Sequence, residues 1–285
     1  MDGSRPANRT NYHSHCSFCD GKAPMEEFIK EAIRQGFSAY GISSHAPLPF
    51  ATAWTLDRNR VNDYLDEIER MKRLYGDRIE IYAGMEIDYL DETSNPASPF
   101  FQQLPLDYRI GSVHVMRDDY GTYVDIDTRP EVLVERLREH FGNDLERLVR
   151  NYFAKLMRMV EAGGFDIVGH ADKLYMNAER CQPGITSTTW YKEIIHEYFG
   201  RIAHKGLMVE INTKKFESAG CFSPSIEHFP LLKELNIPVV VDSDAHRPEN
   251  INSGREEALR ALKKAGFTYV MELHGGSWQQ VPIGA

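Results

Sequence analysis

Residues 237–246 read IPVVVDSDAH. An uncharged, mostly apolar run from Ile237 to Val241 gives way at once to Asp242, Ser243, Asp244, Ala245 and His246. A short apolar run that stops at polar residues is the mark of a strand buried on both faces. Amphipathic segments flank it, one over 223–235 and one over 253–265. A buried strand between two helices is the repeating unit of a parallel α/β sheet. Asp244 and His246 stand two apart, so in extended backbone both side chains leave on the same side.

The same unit recurs outward along the chain. Strands are expected over 10–13, 38–42, 79–86, 108–114, 166–170, 207–212 and 237–242. Helices are expected over 24–36, 57–75, 130–141, 143–162, 188–205, 223–235 and 253–265, and a last strand or packing segment over 267–273. In the first helix Met25, Phe28, Ile29, Ala32 and Ile33 form one apolar face, and Pro24 suits a first helical turn. Seven or eight such units imply an α/β fold closed into a single (β/α) barrel. An open doubly wound sheet is the alternative. Its glycine-rich turn is absent, since Gly163-Gly164 and Gly275-Gly276 do not fit that spacing.

Composition agrees. A chain of 285 residues suits one α/β barrel domain spanning 1–285, with a core of about 11–273. With 42% hydrophobic and 26% charged residues it is neither disordered nor fibrous. No run is long and apolar enough for a membrane span. The opening MDGSRPANRT has no apolar stretch of a secretion signal, so a cytoplasmic protein is expected. The net charge of -9, with no Lys/Arg run, argues against a long nucleic-acid partner. Four cysteines are too few for a disulfide scaffold. Cys16 and Cys19 resemble half a zinc knuckle without a second pair, and read better as small thiols buried near the site.

The strand ends carry the chemistry. In chain order they hold His13 and His15 with Asp20, then His45, Glu86 with Asp88, His114, His170 with Asp172, Glu210 with Asn212, and Asp244 with His246. In an α/β barrel these ends share one mouth, where active sites are built. A single histidine there is more often a hydrogen-bonded polar side chain than a ligand. Seven successive strand ends bearing His, Asp or Glu point instead to metal, and imidazole with carboxylate suits zinc, iron or manganese. So many donors exceed one ion's needs, so two or three ions share the pocket. Six of the eleven histidines fall here. His140, His196, His204, His228 and His274 read as solvated.

Several stretches now resemble a known family. HSHCSFCDGKAPMEEFIKEAIRQGF (13–37), GISSHAPLPF (41–50), GMEIDYL (84–90), GSVHV (111–115), GHADK (169–173), VEINT (209–213) and VDSDAH (241–246) are similar to the histidinol-phosphate phosphatases of the PHP superfamily. The similarity runs from about Asn11 to Gly266. It implies a distorted (β/α)7 barrel with a trinuclear site and hydrolysis of L-histidinol phosphate to L-histidinol and phosphate, a step of histidine biosynthesis, by attack of a metal-activated hydroxide. The resemblance assigns His13, His15, Glu86 and Asp244 to one ion, Glu86, His114 and His170 to a second, and Asp20, His45 and His246 to a third. Asp20 stands where some members of the superfamily carry histidine.

A phosphate ester also calls for cationic side chains. Arg180, Lys214, Lys215 and Arg117 follow mouth strands, and the resemblance favours Arg180 and Lys215. Glu210, Asn212 or Asp88 would take the substrate's ammonium, and Phe50, Trp54, Tyr89 or Tyr175 would cover its ring. A metal-bound water, Asp172 or His246 would protonate the leaving alkoxide. The ion set alone does not choose the ester, so a phosphoesterase of nucleotides or short oligonucleotides is the competing enzyme. A noncatalytic metal-binding domain is the competing non-enzyme, and the filled ligand set counts against it.

Overall fold

The apolar runs become parallel strands in the computed structural model, which describes residues 8–284. The first seven residues of the stretch MDGSRPANRT lie outside them. The first half of the chain contains β1 (Thr10–Asn11), α1 (Met25–Arg34), β2 (Ala39–Ile42), α2 (Val61–Tyr75), β3 (Glu80–Ala83), β4 (Glu86–Asp88), α3 (Pro99–Gln102), β5 (Ile110–Ser112), β6 (Val115–Arg117) and β7 (Tyr123–Asp125). Then come α4 (Pro130–His140), α5 (Leu145–Ala162), β8 (Ile167–Val168), α6 (Tyr175–Cys181), α7 (Thr189–Lys205) and β9 (Met208–Asn212). The chain ends with α8 (Phe216–Ala219), α9 (Phe229–Glu234), β10 (Val239–Asp242), α10 (Arg255–Lys264), β11 (Tyr269–His274) and β12 (Ser277–Pro282).

The fold is α/β with two parallel sheets, ordered β1-β2-β3 and β10-β9-β8-β5-β4. Isolated parallel bridges join their margins, Ser14 to Ala245 and His45 to Glu86. The run expected over 79–86 is therefore two short strands, the first paired to β2 and the second to β5. The ring of Tyr108 sits at this break. A Cβ on Gly84 would lie 2.2 Å from Tyr108 Cζ, and one on Gly41 2.2 Å from its Oη, so only bare backbone fits.

Helices α5 and α7 pack together over a core that includes Tyr152, Phe153, Tyr198 and Phe199. Among the described residues no helix is long and apolar enough to cross a membrane.

Three features depart from the sequence reading. The last strand does not stand alone: β11 pairs antiparallel with β12, and the hairpin packs against the N-terminal ends of the strands. There Trp278 meets Tyr12 at 5.1 Å between rings. The segment 223–235 is helical only from Phe229, apart from a single 3-10 turn over Ile226–His228. Its start is held extended because Ser223 bridges Asn212 and both Ser223 Oγ and Ser225 N donate to Asp172. The polar run after His114 forms the β6–β7 hairpin, its turn closed by Asp118 accepting from Tyr120 N and Thr122 N.

Tyr12 is fully buried, and its hydroxyl accepts from Leu273 N at 2.7 Å and donates to Leu273 O at 3.2 Å. Tyr12→Phe leaves both backbone groups of Leu273 without that partner. It is expected to destabilise the fold by about 1–3 kcal/mol, read as a lower urea midpoint. An unchanged midpoint would show that the hairpin does not depend on this link.

Candidate metal centre

Backbone pairing beyond the named strands brings the ligand candidates together. Ala245 N donates to His13 O at 3.3 Å, and His15 N to Ala245 O at 2.8 Å. This sets the His13-x-His15 segment beside Asp244-x-His246. Ser43 N donates to Ser14 O at 2.9 Å and Ala46 N to Glu86 O at 2.7 Å, which carries His45 to Glu86.

Glu86 is the hub. Its Oε2 lies 2.9 Å from His45 Nδ1, 3.2 Å from His13 Nε2 and 3.5 Å from His15 Nε2. Its Oε1 lies 2.8 Å from His170 Nε2 and 3.4 Å from His114 Nε2. Asp244 Oδ1 lies 3.2 Å from His15 Nε2 and 3.5 Å from His246 Nδ1. Asp20 Oδ1 lies 3.3 Å from His246 Nε2 and 3.8 Å from His45 Nε2. Three groups have donor atoms close enough to share an ion: His15, Asp20, His45 and His246; His13, His15 and Glu86; His45, Glu86 and His114. All nine expected ligands thus converge.

The electrostatics suit cations. His13 Nε2, His15 Nε2, His45 Nδ1, Glu86 Oε2 and Asp20 Oδ1 are buried without a hydrogen bond, although they crowd one another. Such atoms cost about 1–3 kcal/mol each when left unpaired, so a shared cation is the natural partner. The donor set therefore fits divalent ions. Burial, reinforced by His45 and His246, holds the His15 imidazole well below its ordinary pKa, in the neutral form a ligand needs. Burial pushes the Glu86 carboxyl up, but His13, His114 and His45 outweigh it and keep the carboxylate ionised.

A second layer of groups aims the ligands. Glu210 Oε1 accepts from His13 Nδ1 at 2.6 Å, and Glu210 Oε2 accepts from His170 N at 2.6 Å and Asn212 Nδ2 at 3.1 Å. Asp88 accepts from His114 Nδ1 at 3.0 Å and His114 N at 2.7 Å. These bonds turn the Nε2 lone pairs inward. Glu210 and Asp88, expected as partners of a substrate ammonium, are buried and bonded to ligand candidates, whereas Asn212 bonds Glu210 and Asp244 and also lines the cleft. The thiol of Cys19 lies 3.5 Å from His15 Nδ1, in keeping with thiols near the site. His170 and Asp244 have positive φ of 24° and 48°. That left-handed strain costs of order 1–3 kcal/mol and is held by Glu210 and Asn212, which bond these two residues.

A cleft of about 510 Å³ opens beside His170 and Asp244. Arg180, Lys214 and Lys215 line it as expected. Lys214 is the one held at the centre, with Nζ 3.1 Å from Asp244 Oδ1 and 3.5 Å from His246 Nε2. Arg117 lies elsewhere, stacked on Tyr123 across the β6–β7 hairpin. Asp172 is fully buried and accepts from Ser223 and Ser225 beneath the cleft, so it is not placed to protonate a leaving group. Trp54 packs against His45 and His114, whereas Phe50 stacks on Tyr123, Tyr89 borders Glu92 and Tyr175 donates to Phe222 O. The remaining histidines divide. His196 and His204 are exposed. His140 pairs with Asp118 and stays partly exposed, whereas His274 pairs with Glu272 and His228 packs beside Tyr191 and Phe199, so these last two are largely buried rather than solvated.

Sequence reasoning missed Lys173, Asp127 and Arg129, which also line the cleft. Lys173 follows His170 by three residues, a position with a usable signal. Asp127 and Arg129 had none, because the hairpin that delivers them was unforeseen.

A family model described as the PHP domain matches residues 11–214. A Schizosaccharomyces pombe protein named "Probable histidinol-phosphatase" is 26% identical over 292 residues, covering 93% of this chain and 89% of its own. The fold is similar to that of HisK from Listeria monocytogenes, with a TM-score of 0.77 at 22% identity over 87% of this chain and 99% of that one. It is also similar to the Lactococcus lactis histidinol phosphate phosphatase solved with zinc, L-histidinol and phosphate, with a TM-score of 0.70 at 20% identity over 95% and 98% of the two chains. The matched stretch holds the ligand candidates from His13 to His170, and on that ground the chain belongs to the PHP domain family.

Proposed function

We propose that the protein is a metal-dependent phosphomonoesterase that hydrolyses L-histidinol phosphate. The observation that carries the metal reading is the set of buried, unbonded donor atoms around Glu86. The names of the relatives support the substrate. His13, His15, Asp20, His45, Glu86, His114, His170, Asp244 and His246 would hold three divalent ions, zinc, iron or manganese. Such ions supply Lewis-acid neutralisation of phosphoryl charge and acidify water.

The chain's own residues do the rest. Lys214, Arg180 and Lys215 present positive charge to the phosphate dianion from one wall of the cleft. Glu210 and Asp88 keep the ligand imidazoles from rotating. Trp54 covers His45 and His114 from one side and excludes water there. The bridges Ser14–Ala245 and His45–Glu86 support reading the seven parallel strand positions as one distorted (β/α)7 barrel, and the whole chain as one domain. The reading is that of a cytoplasmic enzyme of amino-acid biosynthesis.

Steady-state selectivity tests this. The metal-loaded enzyme is expected to turn over L-histidinol phosphate with a kcat/KM at least about 100-fold above that for a nucleoside monophosphate or a dinucleotide. A preference for either nucleotide would replace the substrate assigned here.

A further inference from the structure

We propose that Asp127 is the acceptor for an ammonium group carried beside the phosphate ester, and that Lys173 occupies its place until substrate enters. The inference rests on histidinol phosphate being the substrate and names the residues that select it.

Asp127 lies on the strap from β7 to α4, whose residues Asp127 to Pro130 line the cleft. The strap is tied to a ligand strand by Ile126 N donating to His114 O at 2.9 Å. It is tied to α6 by Asn177 Nδ2 donating to Thr128 O at 2.7 Å. The backbone at Asp127 is set further by its N–H donating to Asp125 Oδ1 at 2.8 Å. The backbone that carries the carboxylate is thus fixed, and the side chain, 37% exposed, lines the cleft.

Other carboxylates near the centre are committed. Glu86, Asp20 and Asp244 face the histidines, Glu210 and Asp88 aim ligands, and Asp172 is buried against Ser223 and Ser225. Asp127 instead holds the ammonium of Lys173, with Nζ 2.7 Å from Oδ2. An amine is therefore already seated where a substrate amine would go. The Lys173 side chain is only 13% exposed and belongs to the turn directly after His170. Burial pushes its ammonium towards neutrality, but Asp127, Asp244 and Glu86 outweigh this and keep it charged. The cation thus lies within the field of both the strap and the metal ligands.

Histidinol phosphate carries its ammonium on the carbon next to the esterified one. Its phosphate would draw Lys173, and its ammonium would replace Lys173 on Asp127. Every charge stays paired through the exchange. An ester without the amine would draw Lys173 equally well but leave Asp127 alone, and the stranded charge is what disfavours it.

The test compares L-histidinol phosphate with its deamino analogue, 3-(imidazol-4-yl)propyl phosphate, on the metal-loaded enzyme. Asp127→Asn is expected to lower the preference for the amine-bearing ester by roughly 10- to 100-fold, with metal content unchanged. Asp127→Glu should restore much of that preference. Lys173→Gln should raise KM for both esters and keep the preference. By calorimetry, L-histidinol should bind Asp127→Asn at least about tenfold more weakly. Asp127→Ser serves as a second removal should the first variant misfold. Equal losses on both esters in a metal-replete Asp127→Asn would overturn the inference while leaving the substrate assignment intact. A wild-type enzyme that ignores both imidazole esters and cleaves others would overturn the two together.

Discussion

Glu86→Gln is expected to lower kcat/KM by roughly 10³-fold or more, because the loss reaches several kcal/mol of charge stabilisation. The side chain keeps its shape, so the fold should hold. What changes is charge and chemistry at the hub. Five imidazoles approach the Glu86 oxygens within 3.5 Å. An amide offers them one neutral oxygen and one NH2 that cannot bind a cation. Metal content, measured by plasma mass spectrometry after gel filtration, should fall with activity. A variant with full metal content and wild-type turnover would refute the central role of this carboxylate.

Glu210→Gln should lower metal affinity by about 10- to 100-fold, the usual cost of removing a partner that orients a ligand. Glu210 is buried and acts purely as an acceptor. It takes His13 Nδ1–H on one oxygen, and His170 N–H with the Asn212 amide on the other. A glutamine must turn its NH2 toward one of these donors, so two donors face each other without an acceptor. The same conflict should reduce stability by about 1–3 kcal/mol in the metal-free protein. Competition with a zinc chelator and urea unfolding measure the two effects separately. Unchanged zinc affinity would mean that His13 and His170 are held by their strands alone.

Most of the nine candidate ligand positions are legible in the sequence because they fall at or just past the end of a strand, and the ends of parallel strands share one edge. His13 and Asp244 fall at such ends, which is enough to place them at one mouth although most of the chain separates them. Glu210 occupies the same kind of position yet does different work. Its sequence context is indistinguishable from that of a ligand, and only the distance to His13 Nδ1 tells them apart. The cleft is less readable. The strap bearing Asp127 follows a polar hairpin whose turn depends on Asp118, and polar turns leave no periodic signal. The split between β3 and β4 rests on the ring of Tyr108, which lies more than twenty residues from Gly84 and leaves no local trace there. The extended start of 223–235 likewise depends on Asp172, a partner remote in sequence.

The pairing that joins the two ends of the chain also sets a timetable for folding. Ser243 N donates to Asn11 Oδ1 across 232 residues, and Tyr12 reaches Leu273 across 261. Closing such long loops costs entropy before any contact repays it, so this seam forms late. During synthesis the ribosome releases His13 and His15 long before Asp244 and His246 exist. Until those last strands emerge, the early histidines would be candidate ligands without a cage, so metal loading is expected to wait for Asp244 and His246.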